Sequence, residues 1–345
     1  MSKEENSTSA ASAPPKQPIT VLTEVDLRQC VTVDLEALRA VEEGFVRLAK
    51  GEAVVPPIMI VEVPEQGGEV DVKSAYIRGL DSFAVKIASG FYSNADKGLP
   101  SGSGLMVLIS AHTGFPQAVL LDNGYLTDLR TGLAGAAAAK CLARERIDVV
   151  GVIGTGVQGR YQVRALRLVR EFERVLAYDS NPARLAKYVA EMRAELGVEI
   201  IPAKGPEDVV RRGDVVVTAT PSRTPYVKPA WLHQGLHITA MGSDSPDKQE
   251  LEPEVVRRAD RIVCDRKSQC FRLGELHHAL EAGLISEDHD ISELGEILAG
   301  EKPGRFHDEE ITLCDLTGVG VQDTAIALLA YQRATEKGLG ITIGR

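Results

Sequence analysis

Three glycines in one short loop are the first residues of this chain that could do chemistry. The apolar run Val149-Val150-Gly151-Val152-Ile153 reads as a strand, Gly154-Thr155-Gly156-Val157-Gln158-Gly159 follows it directly, and a helical pattern comes next. In that context each glycine has a use. Gly154 permits a tight turn, Gly156 lets the backbone approach a pyrophosphate, and Gly159 lets helix and strand pack closely. The helix N-terminus offers free N–H groups and a positive dipole end to phosphates. Asp179 closes the following strand, roughly 20 residues past the last glycine, where a dinucleotide site has its acidic residue. A carboxylate there accepts hydrogen bonds from ribose hydroxyls and repels a 2′-phosphate, which favours NAD over NADP; Arg184, a few residues on, argues the other way. Thr218-Ala219-Thr220-Pro221 ends a later strand. Either Thr220 lies along the cofactor or the segment is an ordinary turn.

Lys86 is a second candidate. It stands in the otherwise apolar run Phe83-Ala84-Val85-Lys86-Ile87. Burial there would lower its pKa and make it an acid or base usable near neutral pH. On the solvent face of a half-buried strand it would be an ordinary lysine. His277-His278 lies in a helical segment without partners at ligand spacing, and no metal is expected. The five cysteines, Cys30, Cys141, Cys264, Cys270 and Cys314, form no metal-knuckle or redox motif. They read as free thiols in a reducing, cytoplasmic setting.

The elements that must position these residues follow from periodicity. Residues 1–18 are rich in Ser, Ala, Lys, Glu and Pro and read as a disordered tail. From Ile19 the chain becomes globular. A helix runs over Leu35–Ala49, and strands are expected at Val61–Val72, Ser74–Ile77, Phe83–Ile87, Leu105–Ile109 and Ala118–Leu121. An alanine-rich helix covers Leu126–Leu142. Strands and helices then alternate from Asp148 to Cys264, which predicts a parallel sheet with helices on both faces. The fold class is therefore α/β: a Rossmann-type doubly wound parallel sheet over residues 131–317, plus a β-rich substrate and dimerisation lobe over 19–130 and 318–345. The net charge of −10 argues against nucleic-acid or membrane-surface binding, and no apolar run is long enough to span a bilayer.

Four segments carry a resemblance to a known family: Phe83–Ile87, Asp128-Leu129-Arg130-Thr131-Gly132, the glycine loop, and Gly242-Ser243-Asp244-Ser245-Pro246-Asp247-Lys248-Gln249-Glu250-Leu251. The sequence resembles the ornithine cyclodeaminase/μ-crystallin family over nearly its whole length after the tail. The stretch from Leu99 to Asp128 is similar to the ectoine-utilisation cyclodeaminase-like branch.

The resemblance implies a homodimer joined through its sheets and hydride chemistry with NAD at the amine-bearing α-carbon of a small amino or imino acid. Cyclisation with ammonia loss is the first form of that chemistry. Imine or ketimine reduction and amino-acid dehydrogenation are the alternatives, and a non-catalytic crystallin-like binder is a third. Arg130 matches the family's carboxylate-binding arginine, whose planar guanidinium grips a carboxylate with two hydrogen bonds. Lys86 matches a proton-transfer residue, Asp244 the catalytic aspartate of the cyclodeaminases, and Lys248 a cofactor-side lysine. One departure stands out. The family's second substrate arginine follows a proline after the first long helix, and here that stretch reads Pro56-Pro57-Ile58-Met59-Ile60-Val61. Lys73 or Arg78 is expected to take its place.

Overall fold

The computed structural model describes residues 17–344; the expected tail, 1–18, lies outside the described residues except for its last two. The first sheet is built from β1 (Ile19–Thr23), β2 (Ala53–Val54), β3 (Met59–Val63), β4 (Gly68–Ile77), β5 (Ser82–Phe91), β6 (Gly102–Ser110) and β7 (Pro116–Leu121). The second holds β8 (Val149–Ile153), β9 (Arg174–Tyr178), β10 (Glu199–Pro202), β11 (Val215–Thr218), β12 (His237–Ala240), β13 (Arg261–Cys264), β14 (Ile291–Glu293) and β15 (Thr312–Asp315). The last strand, β16 (Ile341–Ile343), returns to the edge of the first sheet beside β1.

In the first sheet the order is β16-β1-β7-β6-β5-β4-β2, with β3 also on β4. All neighbours are antiparallel except β1 and β7. Side chains alternate across it as the pleat demands. One face carries Ala75, Ile77, Ala84, Met106 and Leu108 into a core shared with Phe45, Leu126, Leu129 and Val321. The opposite face is apolar too, yet open: Val61 is 50% exposed, Ile87 38%, Leu121 42% and Ile341 66%. The expected single strand from Val61 to Val72 is broken. Pro64–Gln66 forms a short turn and Gly67 adopts φ 56°, so the chain reverses and pairs β3 with β4. Proline and a left-handed glycine are strong turn signals, and they override the β-forming valines around them.

The second sheet is parallel throughout, in the order β10-β9-β8-β11-β12-β15-β13-β14. The strand order reverses between β8 and β11, so connections leaving the carboxyl ends diverge and open a crevice at the glycine loop. β14 and β15 extend the sheet past Cys264, where the expected alternation ends.

The helices are α1 (Glu24–Cys30), α2 (Leu35–Ala49), α3 (Tyr125–Leu142), α4 (Val157–Leu166), α5 (Pro182–Leu196), α6 (Pro206–Arg212), α7 (Pro253–Arg258), α8 (Lys267–Leu273), α9 (Glu275–Glu281), α10 (Leu294–Leu298) and α11 (Gly320–Lys337). The domain boundary expected after residue 130 falls inside α3, which runs unbroken across it. Its small residues explain why. A Cβ on Gly132 would lie 2.8 Å from the Tyr161 carbonyl oxygen, and one on Gly135 would overlap the Gln162 side chain. α3 and α4 therefore touch backbone to backbone. Gly132→Val forces them apart and lowers unfolding stability by about 1–3 kcal/mol, the usual range for overpacking, read as a lower urea midpoint.

Candidate active site

Lys86 lies mid-way along β5 on the buried face, 2% exposed, and directly opposite it on β4 stands Lys73, 7% exposed. Two ammonium groups side by side in a core need an anion. α11 supplies it: Asp323 Oδ1 accepts from Lys86 Nζ at 3.1 Å and from Arg130 Nε at 2.9 Å. Arg130 Nη1 also donates to Gln322 Oε1 at 2.8 Å. Burial, helped by the neighbouring Arg130 charge, lowers the Lys86 pKa to about 7, with Asp323 acting in the opposite direction. Burial opposes ionisation of Asp323, but Arg130 and Lys86 outweigh it and hold the carboxyl below its ordinary range. Gly318, at φ 81°, precedes this helix; a Cβ there would sit 2.8 Å from Arg130 Nη1, so the approach is restricted to glycine.

Asp244 comes from the loop after β12. Lys248 Nζ lies 2.6 Å from Asp244 Oδ1 and 3.6 Å from Glu69 Oε1 on β4, so this loop of the second sheet reaches the first. Burial works against the Asp244 charge, yet Lys248 and Lys73 together keep the carboxyl below its usual pKa. Glu69 and Asp71, on the same face of β4 as Lys73, have raised pKa values, chiefly from burial. Asp71 is 3.9 Å from Lys73. Five candidates thus converge on one charged cluster between the sheets: Lys73, Lys86, Arg130, Asp244 and Lys248.

The glycine loop fits a dinucleotide. Gly154 has φ 97°, and a Cβ on it would lie 2.5 Å from the Ala219 carbonyl oxygen; one on Gly159 would lie 2.3 Å from that of Gly154. A Cβ on Gly156 meets nothing within 4 Å, leaving open space over the loop where a pyrophosphate would lie. No side chain caps the N-terminus of α4, so Val157, Gln158 and their neighbours keep N–H groups for an anion. Asp179 also steadies the loop. Its Oδ2 accepts from Thr155 N at 3.0 Å and Thr155 Oγ1 at 2.8 Å, and its Oδ1 from Asn181 N at 2.9 Å. An ionised carboxylate has about four acceptor sites, so capacity for a ribose hydroxyl remains. Gln158 Nε2 donates to Asp128 Oδ1 at 2.9 Å and ties α4 to the turn of α3 that carries Arg130. Burial raises the Asp128 pKa to about 6.

Arg78 stands apart. It lies past the end of β4, exposed, with its carbonyl accepting from Arg47, five positions along from Lys73. Of the two residues expected to replace the missing arginine, Lys73 is the one beside Lys86. Thr220 is hydrogen-bonded to Glu250. Sequence reasoning missed Gln322 and Asp323, although a signal existed: with Thr324 they are polar residues in the buried stretch of a helix whose other buried residues are apolar or glycine. The histidine pair also has a partner that went unseen. His277, His278 and Glu281 bring ligand atoms within 4.8 Å of one another, and the i,i+4 spacing to Glu281 was readable. His278 Nε2 bonds the Lys248 carbonyl oxygen at 2.7 Å, which places this pair behind the Asp244 loop.

The profile of the ornithine cyclodeaminase/mu-crystallin family matches residues 18–338. An uncharacterised cyclodeaminase of Sinorhizobium fredii is 49% identical over 93% of this chain and 97% of its own. The structure of Thermococcus litoralis Δ1-pyrroline-2-carboxylate reductase, in complex with NADH and L-proline, superposes with a TM-score of 0.90 at 35% identity, covering 94% of this chain and all of that one. An archaeal alanine dehydrogenase dimer with bound NAD gives a TM-score of 0.87 at 39% identity, covering 95% and 99%.

Two outcomes follow from the geometry. Gly156→Val has room for its side chain, so its unfolding midpoint stays that of the parent, while NADH affinity in a fluorescence titration falls at least about tenfold, as expected when backbone approach to a phosphate is blocked. In Asp323→Asn the anion that favours charged Lys86 is gone. The limb of the pH–rate profile governed by Lys86, near pH 7 in the parent, moves to lower pH.

Proposed function

The chain belongs to the ornithine cyclodeaminase/mu-crystallin family, and we propose that it moves a hydride between NAD(H) and the nitrogen-bearing α-carbon of a small amino or imino acid. The observation that carries this is the buried Lys86–Asp323–Arg130 cluster, joined through α3 and the Gln158–Asp128 bond to a loop shaped for a dinucleotide. The dinucleotide, held by Gly154–Gly159, Asp179 and Thr220, supplies a hydride donor or acceptor. Everything else is done by the chain's own side chains. Arg130 grips the substrate carboxylate, and Lys73 serves as the second cation in place of the absent arginine. Lys86, with a pKa of about 7, holds or releases a proton at the substrate nitrogen. NAD is favoured over NADP because Asp179 would face a 2′-phosphate with like charge.

Asp244 favours a second reading, cyclisation with loss of ammonia. It is an ionised carboxylate at the cluster in addition to Lys86, and an attacking side-chain amine needs a proton acceptor of that kind. The two readings share their hydride step and differ in net redox. A panel of L-alanine, L-proline, L-ornithine, L-2,4-diaminobutyrate and L-lysine with NAD, and Δ1-pyrroline-2-carboxylate with NADH, separates them. A stoichiometric change in nicotinamide absorbance marks a reductase or dehydrogenase; ammonia release without it marks a cyclodeaminase. Lys86→Met and Asp244→Asn are each expected to lower turnover by about 10²–10⁴-fold, and unchanged rates in both would sink the assignment.

The open apolar face of the first sheet, with Val61, Ile87, Leu121 and Ile341, is the surface on which we place a second copy of the chain, in keeping with the dimeric archaeal relative. Ile87→Asp buries a charge in that contact and shifts the mass measured by light scattering from dimer to monomer.

A further inference from the structure

Glu250 is fully buried, and four hydrogen bonds reach its side chain. Its Oε1 accepts from Thr220 N at 2.7 Å, Thr220 Oγ1 at 2.6 Å and Tyr226 OH at 2.6 Å; its Oε2 accepts from Gly242 N at 2.9 Å. Thr220 closes the β11 side of the dinucleotide crevice, and Gly242 opens the loop that carries Asp244. One carboxylate therefore ties the cofactor wall to the carrier of the candidate proton acceptor.

The rest of the loop is fixed around that tie. Glu275, also buried, accepts from the backbone N–H groups of Glu250 and Leu251 at 2.8 and 3.1 Å. Ser243 Oγ donates to the Lys248 carbonyl at 2.5 Å, and Gln249 N donates to the Ser222 carbonyl at 2.8 Å. A Cβ on Gly242 would come within 2.3 Å of the Thr220 carbonyl oxygen and 2.4 Å of Glu250 Oε2, so the strap closes only over glycine.

We propose that Glu250 is a positioning residue, which holds Thr220 against the dinucleotide and Asp244 against the substrate as one rigid unit. Glutamine is close to glutamate in size but cannot do the same work. Its amide nitrogen must face either Gly242 N–H or the Thr220–Tyr226 donors, and a donor then opposes a donor. Burial raises the Glu250 pKa, while the bonds from Thr220 and Tyr226 act the other way and favour the charged form, in which such bonds are the strong kind.

The proposal rests on the reading that Thr220 and Asp244 serve the dinucleotide and the substrate, and the test separates the two. Glu250→Gln, Gly242→Ala and Asp244→Asn are compared with the parent by urea unfolding, by NADH fluorescence titration, and by kcat and KM on the panel substrate that turns over. In Glu250→Gln the NADH Kd is expected to rise and kcat to fall, each by about ten- to a hundredfold, as for loss of a buried charge-assisted bond. KM stays within about twofold, since Arg130 and Lys86 are untouched and, with chemistry slowed, KM approaches the substrate dissociation constant that they set. Gly242→Ala breaks the same strap from its other end, gives the same pattern, and decides the matter if Glu250→Gln does not fold. If Asp244→Asn is inactive while the folded Glu250→Gln binds NADH and turns over like the parent, Glu250 does not position and the inference fails. If Asp244→Asn keeps full activity, the functional reading itself fails. A uniform loss of stability with kinetics unchanged would reduce Glu250 to a structural role and overturn the proposal.

Discussion

A single carboxylate with two cations on it organises the candidate site. Taking a lysine, an arginine and an aspartate out of water costs several kcal/mol per ion, and only close pairing with hydrogen bonds offsets it. Asp323 meets that condition for both Lys86 and Arg130. The three residues come from β5, α3 and α11, elements far apart in the chain, so the contact draws its middle and its end onto the first sheet. It also explains why the last long helix leaves the parallel sheet at all. α11 must cross β4 and β5 to deliver Asp323, and Gly320, packed against the Ser74 carbonyl, allows it to cross that closely.

Around that contact the remaining charges arrange themselves by proximity. Lys73 and Lys86 face each other across two strands, an arrangement that alone would be repulsive. Asp71, Asp323 and Asp244 stand close enough to compensate, and the outcome is a cluster in which no charge sits far from its opposite. Lys86 is held near the midpoint of its titration because desolvation and Arg130 pull one way and Asp323 the other. The same residues that stabilise the fold thus set the acid–base character of the site.

Much of this was legible in the sequence, and what was not has identifiable causes. The glycine loop, Asp179 and the strand–helix alternation announce a nucleotide fold because their local chemistry leaves few other uses. Lys86 showed as a charge in an apolar strand. Asp323 carries a weaker form of that signal, a carboxylate in the buried stretch of a helix, and Glu250 stands in a loop, where a polar residue is ordinary. Their meaning depends on partners 193 and 30 positions away, which no local pattern encodes. The break between β3 and β4 was readable from Pro64 and Gly67 and was masked by the valines on either side. The continuity of α3 was legible in the alanine-rich pattern over Leu126–Leu142, and it runs across the domain boundary expected after residue 130.

That continuity bears on how a fold of this kind could change its preferences. α3 is a shaft common to both sheets, with Arg130 near one end and its glycines pressed against the helix that follows the nucleotide loop. The separation between the group that would anchor the substrate and the loop that would anchor the dinucleotide is therefore built into a helix and not into a hinge. Side chains on β3 and β4 can be exchanged without disturbing that separation. Substitutions on β4 would change the charges around Lys86 and leave the spacing of Arg130 from the glycine loop to α3.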